Sequence, residues 1–287
     1  MIKKRLTRKG MLIYNPADGT TIRFTRQESE QVLGTEIKWG DLELDDVCEV
    51  AHLELTSRCN LKCEYCYQKT QKYQDLSTSK WKKVIDTLNL HGIHQITFGG
   101  GEPLLRDDIF ELADYCNAFN IPVCITTNGL LVEKYGRKDF KKFRQVNVSY
   151  HGVDIEEPIS QLSYYDVPRA INYLVIEEYL SAFDDLVHYA KKYDATLLFL
   201  SCKGRTDIPA RKVEELAVRA HQDSRIRVAI DTMTANRCYA KERFVTIGSD
   251  GEVYPCSFVR KSMGNITKLS FDEIWRNRGK KEKCPYA

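Results

Sequence analysis

The amino-acid sequence predicts an α/β fold with a parallel sheet at its centre. Strand-like and helix-like segments alternate from residue 50 to residue 231, each strand with its helix taking roughly 30 residues, the usual size of a βα unit. The predicted strands span 50–55, 95–98, 123–126, 145–149, 196–201 and 226–230. The predicted helices span 76–90, 106–119, a segment that follows the strand at 123–126 and ends at about 143, much of 168–193, and 209–221. Repeated βα units form a parallel sheet, either open or closed into a barrel.

Residues 1–49 form a predicted β-rich extension ahead of these units. Strands at 11–14 and 21–24 are joined by the turn sequence Asn-Pro-Ala-Asp-Gly. A short helix is expected at 27–33 and a further strand at 36–44. The basic stretch at 3–9 is short, and we expect it to be a solvated segment and not a binding surface.

Composition and charge exclude several classes of protein. The chain has 287 residues, of which 43% are hydrophobic and 29% charged, with a formal net charge of +3. Basic and acidic residues are interspersed, so neither nucleic acid nor an anionic membrane is an expected partner. Neither a secretory signal nor an apolar run of membrane-spanning length is visible, and we expect a cytoplasmic protein.

Ten cysteines indicate metal binding or catalysis, because disulfides are rare in the reducing cytosol. Two sets stand out by spacing, Cys59, Cys63 and Cys66 within eight residues, and Cys238, Cys256 and Cys284 in the C-terminal fifth. The other four cysteines are isolated in the sequence, and isolated cysteines are usually small buried apolar residues. One of them, Cys202, ends a predicted strand. A fourth cluster ligand or a hydrogen donor is conceivable there, but a plain strand-end thiol is the simpler interpretation.

The unusual motifs all follow predicted strands. The cysteine loop follows the first strand, Gly99–Pro103 the second, Thr126–Gly129 the third, Ser149–Gly152 the fourth and Cys202 the fifth. Because βα folds place their chemistry at the carboxyl edge of the sheet, the sequence predicts a site there. Along the first strand, alternation puts His52, Glu54 and Thr56 on one face. That polar face either points into a barrel lumen or forms a satisfied buried pair.

The spacing within the first cysteine set favours an iron–sulfur cluster. Zinc sites usually need four ligands, often as two CxxC pairs, whereas this loop supplies three thiolates with unequal gaps. Three cysteines on a four-iron cluster leave one iron open to bind a substrate. A zinc-bound interaction module or an iron–sulfur sensor would explain the cysteines but not Gly99–Pro103.

The CxxxCxxC loop, with Tyr65 before the last cysteine, resembles that of the radical S-adenosylmethionine (radical SAM) superfamily, and GGEP after the second strand strengthens the resemblance. It implies a partial (β/α)6 barrel resembling a TIM barrel. It also implies a [4Fe-4S] cluster on Cys59, Cys63 and Cys66. In that family the open iron binds S-adenosylmethionine, whose reductive cleavage gives a 5′-deoxyadenosyl radical that abstracts hydrogen from substrate.

The resemblance also assigns the residues that would bind S-adenosylmethionine. Gly100, Gly101 and Glu102 match the segment whose backbone holds the methionine amino group. The main chain of Tyr65 matches the position that meets the adenine. Asn128 and Ser149 lie where polar residues reach the ribose or carboxylate, although a turn-forming Asn and a strand-end Ser are nearly equal alternatives.

Residues 232–287 resemble the short twitch form of the C-terminal module that carries an auxiliary cluster, related to the longer SPASM form. Hairpin strands at 244–247 and 253–254, a turn at 264–266 and a helix at 271–277 are expected. Cys238, Cys256 and Cys284 would then hold an iron–sulfur cluster, expected to be [4Fe-4S]. The short module often ends in a CxxC pair, which is missing after Cys284. Either the chain is truncated or altered, or the cluster has three protein ligands, or these cysteines bind no cluster.

The expected activity is radical-initiated oxidation of a C–H bond. The resemblance is nearest to maturases that cross-link ribosomal peptides or form thioethers in them, so a peptide is the first expected substrate. Dehydrogenation or rearrangement of a small polar metabolite is the alternative. A flavodoxin- or ferredoxin-type protein is the expected electron donor.

Overall fold

A computed structural model describes residues 2–7, 9–16, 20–41, 48–68, 74–205, 207–223, 225–231, 238–280 and 284. Its centre is a ten-stranded sheet in which eight neighbouring strands are parallel, and helices cover this parallel part. Seven of the parallel strands are β4 (Val50–Thr56), β5 (Gln95–Gly100), β6 (Val123–Thr127), β7 (Gln145–Ser149), β8 (Arg169–Val175), β9 (Thr196–Ser201) and β10 (Arg227–Ile230), and the eighth comes from the C-terminal segment. The predicted α/β fold is confirmed, and its strand arrangement is that of a partial TIM-like barrel.

The helices of the barrel lie between successive strands and bury their apolar faces. They are α2 (Thr78–His91), α3 (Ile109–Ala118), α4 (Arg137–Phe140), α5 (Glu156–Tyr164), α6 (Phe183–Lys192) and α7 (Ala210–His221). Helix α2 is capped by Ser77, whose hydroxyl accepts from the Lys80 amide. Its buried residues include Trp81 and Leu88, which join the core that β4 and β5 supply from the other side.

One predicted helix is partly wrong. Much of 168–193 was expected to be helical, but Arg169–Val175 is strand β8, and only α6 and a short 3-10 turn (Glu177–Ala182) are helical in that stretch. Residues Ala170–Tyr173 are all buried, because β8 lies between β7 and β9 with helices over the sheet. A short apolar run of this kind fits either a buried strand or a helix by periodicity alone.

The N-terminal extension is a separate three-stranded antiparallel sheet of β1 (Lys3–Thr7), β2 (Gly10–Tyr14) and β3 (Thr21–Thr25), followed by α1 (Arg26–Leu33). The basic segment expected to be solvated forms strand β1 over 3–7, an edge strand that pairs with β2 and has no buried residue. The predicted strand at 36–44 is wrong for 36–41. There the Glu30 carboxylate accepts from the Ile37 amide and the Trp39 indole, which holds the chain against α1. Residues 42–44 lie outside the described residues.

The C-terminal segment extends the central sheet directly. Strand β11 (Phe244–Ile247) pairs in parallel with β4, and β12 (Glu252–Tyr254) and β13 (Gly264–Asn265) continue antiparallel beyond it. Helix α8 (Phe271–Arg276) packs on α2. The predicted hairpin and helix are confirmed, whereas the turn predicted at 264–266 is wrong for 264–265, because these residues pair with β12 as strand β13. Among the described residues, no helix has the length and apolar character needed to cross a membrane.

Candidate active site

The first cysteine set lies in the loop that follows β4, at the carboxyl edge of the sheet. Cys59 is exposed, whereas Cys63 and Cys66 are half-buried. The Asp75 carboxylate fixes the start of this loop by accepting from the Ser57 amide at 2.9 Å and from the Thr56 hydroxyl. The three thiols therefore lie on a short loop whose first residues are fixed by hydrogen bonds.

The glycine segment after β5 lies against this loop. The Gly101 and Glu102 amides donate to the Thr56 and Arg58 carbonyls, each at 2.8 Å. A Cβ on Gly101 would lie 2.0 Å from the Arg58 carbonyl oxygen, and Gly100 has a φ of +117°. Glycine is therefore needed here because the cysteine loop comes close, in addition to any contact with a cofactor.

The buried Glu102 carboxylate ties this segment to the end of β6. It accepts from the Leu104 amide at 3.0 Å, the Thr127 hydroxyl at 2.7 Å and the Asn128 amide at 2.8 Å. Burial raises the pKa of Glu102, and the three donors oppose that rise. The side chain of Glu102 therefore has a structural part in the site, distinct from the part predicted for its backbone.

Asn128 links β6 to the cysteine loop. Its side-chain amide donates to Asn60 at 2.7 Å, and its carbonyl accepts from the Leu130 amide at 3.1 Å. The second bond is the turn that the sequence allowed for this residue. The first bond has no sequence signal, because it joins residues on two different strand ends.

These elements surround one chamber of about 490 Å³, a volume typical of small-molecule sites. All nine residues predicted for the first site line it, namely Cys59, Cys63, Tyr65, Cys66, Gly100, Gly101, Glu102, Asn128 and Ser149. Cys202 lines it too, beside Lys203 and Asp231. The structure thus brings the predicted residues together at one edge of the sheet.

The side chain of Tyr65 is held by polar groups from two other strand ends. Its hydroxyl lies 2.6 Å from His151 Nδ1 and 3.1 Å from the Tyr179 hydroxyl. Burial is the largest cause that raises the pKa of Tyr65, and the nearby Tyr179 and Cys63 raise it further, so the phenol stays protonated. The adenine contact of the Tyr65 main chain remains a prediction from the sequence.

Sequence reasoning missed Asn172 on β8, because that strand was predicted as a helix. Asn172 is 7% exposed and lines the chamber. The nitrogen of its side-chain amide donates to the Ser149 hydroxyl at 3.2 Å. The oxygen of the same side-chain amide has no hydrogen-bond partner within the described ranges. A buried acceptor without a protein partner is available to a donor from a ligand or a water molecule.

Sequence reasoning also missed an ion pair between residues that follow β9 and β10, the next two strands of the sheet after β8. The Lys203 ammonium donates to the Ser201 hydroxyl at 2.6 Å and to the Asp231 carboxylate at 3.2 Å. The Lys203 side chain is only 6% exposed. The wall between this pair and Asn172 is apolar, with Leu174 and Leu200 facing the chamber.

On the polar face of β4, Glu54 forms a satisfied buried pair, which is one of the two interpretations of this face from the sequence. Glu54 pairs with Arg260 through bonds of 2.7 and 2.9 Å, and His52 Nδ1 lies 3.0 Å from the Ser257 hydroxyl. His52 also lines the chamber, so the lumen interpretation holds for that residue. Burial, with Arg260 nearby, lowers the pKa of His52 to about 4, so the ring is neutral near pH 7.

The donor set fits an iron–sulfur cluster. Burial raises the pKa of the Cys59 thiol, and the acidic groups of Glu102, Cys63 and Cys66 raise it further. Positively charged iron would reverse this and hold the thiolates. Across the described residues, no three His, Cys, Asp or Glu side chains converge closely enough for a single metal ion.

The second cysteine set also comes together. Cys256 follows β12 and is buried, and burial raises the pKa of its thiol. Cys238 and Cys284 lie near enough to raise that pKa further. The three thiols therefore form a group separate from the cysteine loop after β4.

Two family models match the chain. The model of the radical SAM superfamily matches residues 53–217, more than half of the chain, and that of the SPASM iron–sulfur cluster-binding domain matches residues 238–283. The chain belongs to the radical SAM superfamily. It is accordingly a radical SAM enzyme that uses a [4Fe-4S] cluster, S-adenosylmethionine and an auxiliary iron–sulfur cluster.

Relatives of this radical SAM enzyme carry the names of different activities. It is 26% identical to the mycofactocin maturase MftC of Mycobacterium ulcerans, over 78% of this chain and 73% of that protein. It is 40% identical to the Fe-coproporphyrin III synthase of Methanosarcina barkeri, over 36% of this chain but only 26% of that protein.

Among solved structures, Streptococcus suis SuiB bound to its precursor peptide SuiA superposes with a TM-score of 0.77. The match has 16% sequence identity and covers 96% of this chain and 87% of SuiB. This likeness confirms the fold of the enzyme from the N-terminal sheet to the C-terminal segment.

Proposed function

We propose that this enzyme oxidatively modifies a ribosomally made peptide, by forming a cross-link or a thioether. The observation that carries the proposal is the match to the mycofactocin maturase over most of both chains. That match spans the barrel and extends beyond it, so it is not confined to the cysteine loop. The SuiB fold, solved with a precursor peptide, is consistent with this proposal.

We assign the cofactors to the residues that line the chamber and to the second thiol group. Cys59, Cys63 and Cys66 would hold the radical cluster, and Cys238, Cys256 and Cys284 the auxiliary one. When bound, these groups supply a radical that abstracts hydrogen from substrate and an acceptor for the substrate's second electron. A flavodoxin- or ferredoxin-type donor in the cytoplasm would suit thiolate ligands that must stay reduced.

The S-adenosylmethionine side of the chamber would be the glycine segment, the Tyr65 main chain and the Ser149–Asn172 pair. Because Asn172 donates to the Ser149 hydroxyl, that hydroxyl is left to donate to a ligand. The unpartnered Asn172 carbonyl is left to accept. A donor beside an acceptor complements a ribose hydroxyl pair or an aminocarboxylate.

The substrate side would be the wall that carries Leu174, Leu200, Lys203 and Asp231. The apolar pair excludes water from a bound segment. The ion pair offers one further N–H donor and one carboxylate acceptor, which match the carbonyl and amide of a peptide group.

A second candidate is a small carboxylate-bearing molecule. The 40% identity to the Fe-coproporphyrin III synthase over 105 residues favours it, and Lys203 could bind a carboxylate. That match covers a smaller share of the chain than the maturase match, which is why we place it second.

The test uses reconstituted holoenzyme with S-adenosylmethionine, dithionite and synthetic peptides from short reading frames beside its gene. We expect one peptide to lose two hydrogen atoms by mass spectrometry, with one 5′-deoxyadenosine formed per event. A peptide of the same composition with its sequence scrambled is the matched control. Every peptide left unchanged, although 5′-deoxyadenosine forms, would contradict the peptide proposal.

A further inference from the structure

The ion pair between Glu54 and Arg260 joins the two cysteine-bearing parts of the chain. Glu54 is 1% exposed and lies on β4, five positions before Cys59. Arg260 lies four positions after Cys256. Its guanidinium donates to both carboxylate oxygens, at 2.7 and 2.9 Å. Paired bonds of this kind fix direction as well as distance.

The pair lies where the backbone ladder between these parts ends. Strand β11 pairs with β4 as far as Ile247 opposite Leu53, and Glu54 is the next residue. Beyond that point the two strands separate, and each leads into its own cysteine-bearing segment. The side-chain pair therefore continues a connection that the backbone no longer makes.

Aromatic rings hold Arg260 from both parts of the chain. Tyr67, directly after Cys66, has its ring centroid 5.3 Å from the guanidinium carbon, and Tyr254 on β12 has its centroid 4.8 Å away. Tyr67 also contacts Phe258, with ring centroids 5.4 Å apart. Cation–π contacts in a desolvated place add to the ion pair and restrict the position of the guanidinium.

A neighbouring contact would keep the segment attached without the ion pair. His52 and Ser257 lie 3.0 Å apart, and Ser257 lies 3.1 Å from the Thr246 hydroxyl on β11. These contacts are short and uncharged. Removal of the ion pair should therefore loosen the segment without unfolding it.

We propose that Glu54 and Arg260 are a positioning pair that fixes the auxiliary-cluster segment relative to the radical-cluster loop. The separation of the two clusters then depends on this pair. The inference rests on the assignment of the two cysteine sets to two clusters, which an iron count tests separately.

The experiment measures the magnetic coupling between the two reduced clusters by electron paramagnetic resonance of the holoenzyme, together with iron content. The main variant is E54L/R260M, because an apolar pair avoids a lone buried charge. We expect wild-type iron content with a roughly two-fold wider distribution of couplings, since a site loosens without its supporting contacts. R260K, which keeps one charged bond, should be intermediate. K192M, which removes a partly exposed ion pair to Glu156, is the matched control and should be unchanged.

Two results would overturn the proposal in different ways. About eight irons with wild-type coupling in both E54L/R260M and R260K would overturn the positioning pair alone. About four irons in the wild-type enzyme would overturn the two-cluster assignment and this proposal with it. If E54L/R260M fails to fold, R260K alone decides between these outcomes.

Discussion

The side-chain amide of Asn128 donates a 2.7 Å hydrogen bond to Asn60 in the cysteine loop. The bond ties the end of the third barrel strand to the loop after the first. We predict that Asn60→Ala and Asn128→Ala each weaken S-adenosylmethionine binding about five-fold, as expected for loss of about 1 kcal/mol. The double variant should be weakened little more than either single one, because both remove the same bond.

Binding is measured by equilibrium titration of the anaerobic holoenzyme. Asn117→Ala removes a comparable amide bond, to the Lys142 carbonyl, on the exposed face of α3, and should leave affinity unchanged. Fully additive effects of the Asn60 and Asn128 changes would show that the bond does not hold the loop.

The Glu102 carboxylate should contribute to stability through its three hydrogen bonds. In Glu102→Gln, the amide nitrogen cannot accept, so at least one buried donor loses its partner. We predict that the free energy of unfolding falls by about 2 kcal/mol. Urea unfolding followed by circular dichroism measures this, with Glu111→Gln at an exposed ion pair as the control. A loss no larger than that of the control would be inconsistent with this role.

The second cysteine set should hold about half of the iron. We predict that changing Cys238, Cys256 and Cys284 to Ala lowers the iron content from about eight to about four per chain. Uncoupled cleavage of S-adenosylmethionine should persist, while substrate turnover stops. Circular dichroism must show a folded variant, because metal binding can supply folding free energy. Full turnover by a folded variant with four irons would refute an electron-accepting role.

His94 should make the enzyme sensitive to acid. It is 4% exposed and stacks on Tyr14, and its Nδ1 has no partner among the described residues. Burial, with nearby Lys3, Arg5 and Arg23, lowers its pKa from 6.5 to about 4. Since the unfolded state binds the proton more tightly, stability is fully present above pH 6.5 and falls as the pH drops toward 4.

The expected loss from His94 is roughly 3 kcal/mol over that range. His94→Gln should flatten the fall in unfolding free energy between pH 6.5 and 4, measured by urea titration at several pH values. His188→Gln, at an exposed position, is the control. An equal slope in wild type and His94→Gln would rule His94 out as the cause.

Much of the fold and the first site could be predicted because the signals were local. The cysteine spacing lies within one loop, and each motif lies directly after a strand of recognisable pattern. The main error, strand β8, came from an apolar run whose period does not separate a buried strand from a helix. That error hid Asn172, whose position depends on β8 lying beside β7.

The contacts that sequence reasoning missed are mostly long-range. Glu54 and Arg260 are separated by 206 positions, and Asn60 and Asn128 by 68. Partners of this kind become neighbours only after the strand order is known. The sequence nevertheless placed Glu54 on a polar face, and a buried carboxylate requires a cation or several hydrogen-bond donors as partners.

The most direct test of the account is 5′-deoxyadenosine formation by the variant with Cys59, Cys63 and Cys66 all changed to Ala. The assay uses anaerobically reconstituted protein, dithionite and S-adenosylmethionine, with Cys116→Ala at an isolated buried cysteine as the control. We predict that the triple variant forms no 5′-deoxyadenosine above background while the control retains activity, because the three thiols of the cysteine loop are the proposed ligands of the radical cluster. Formation of 5′-deoxyadenosine at the wild-type rate by the triple variant would contradict the account.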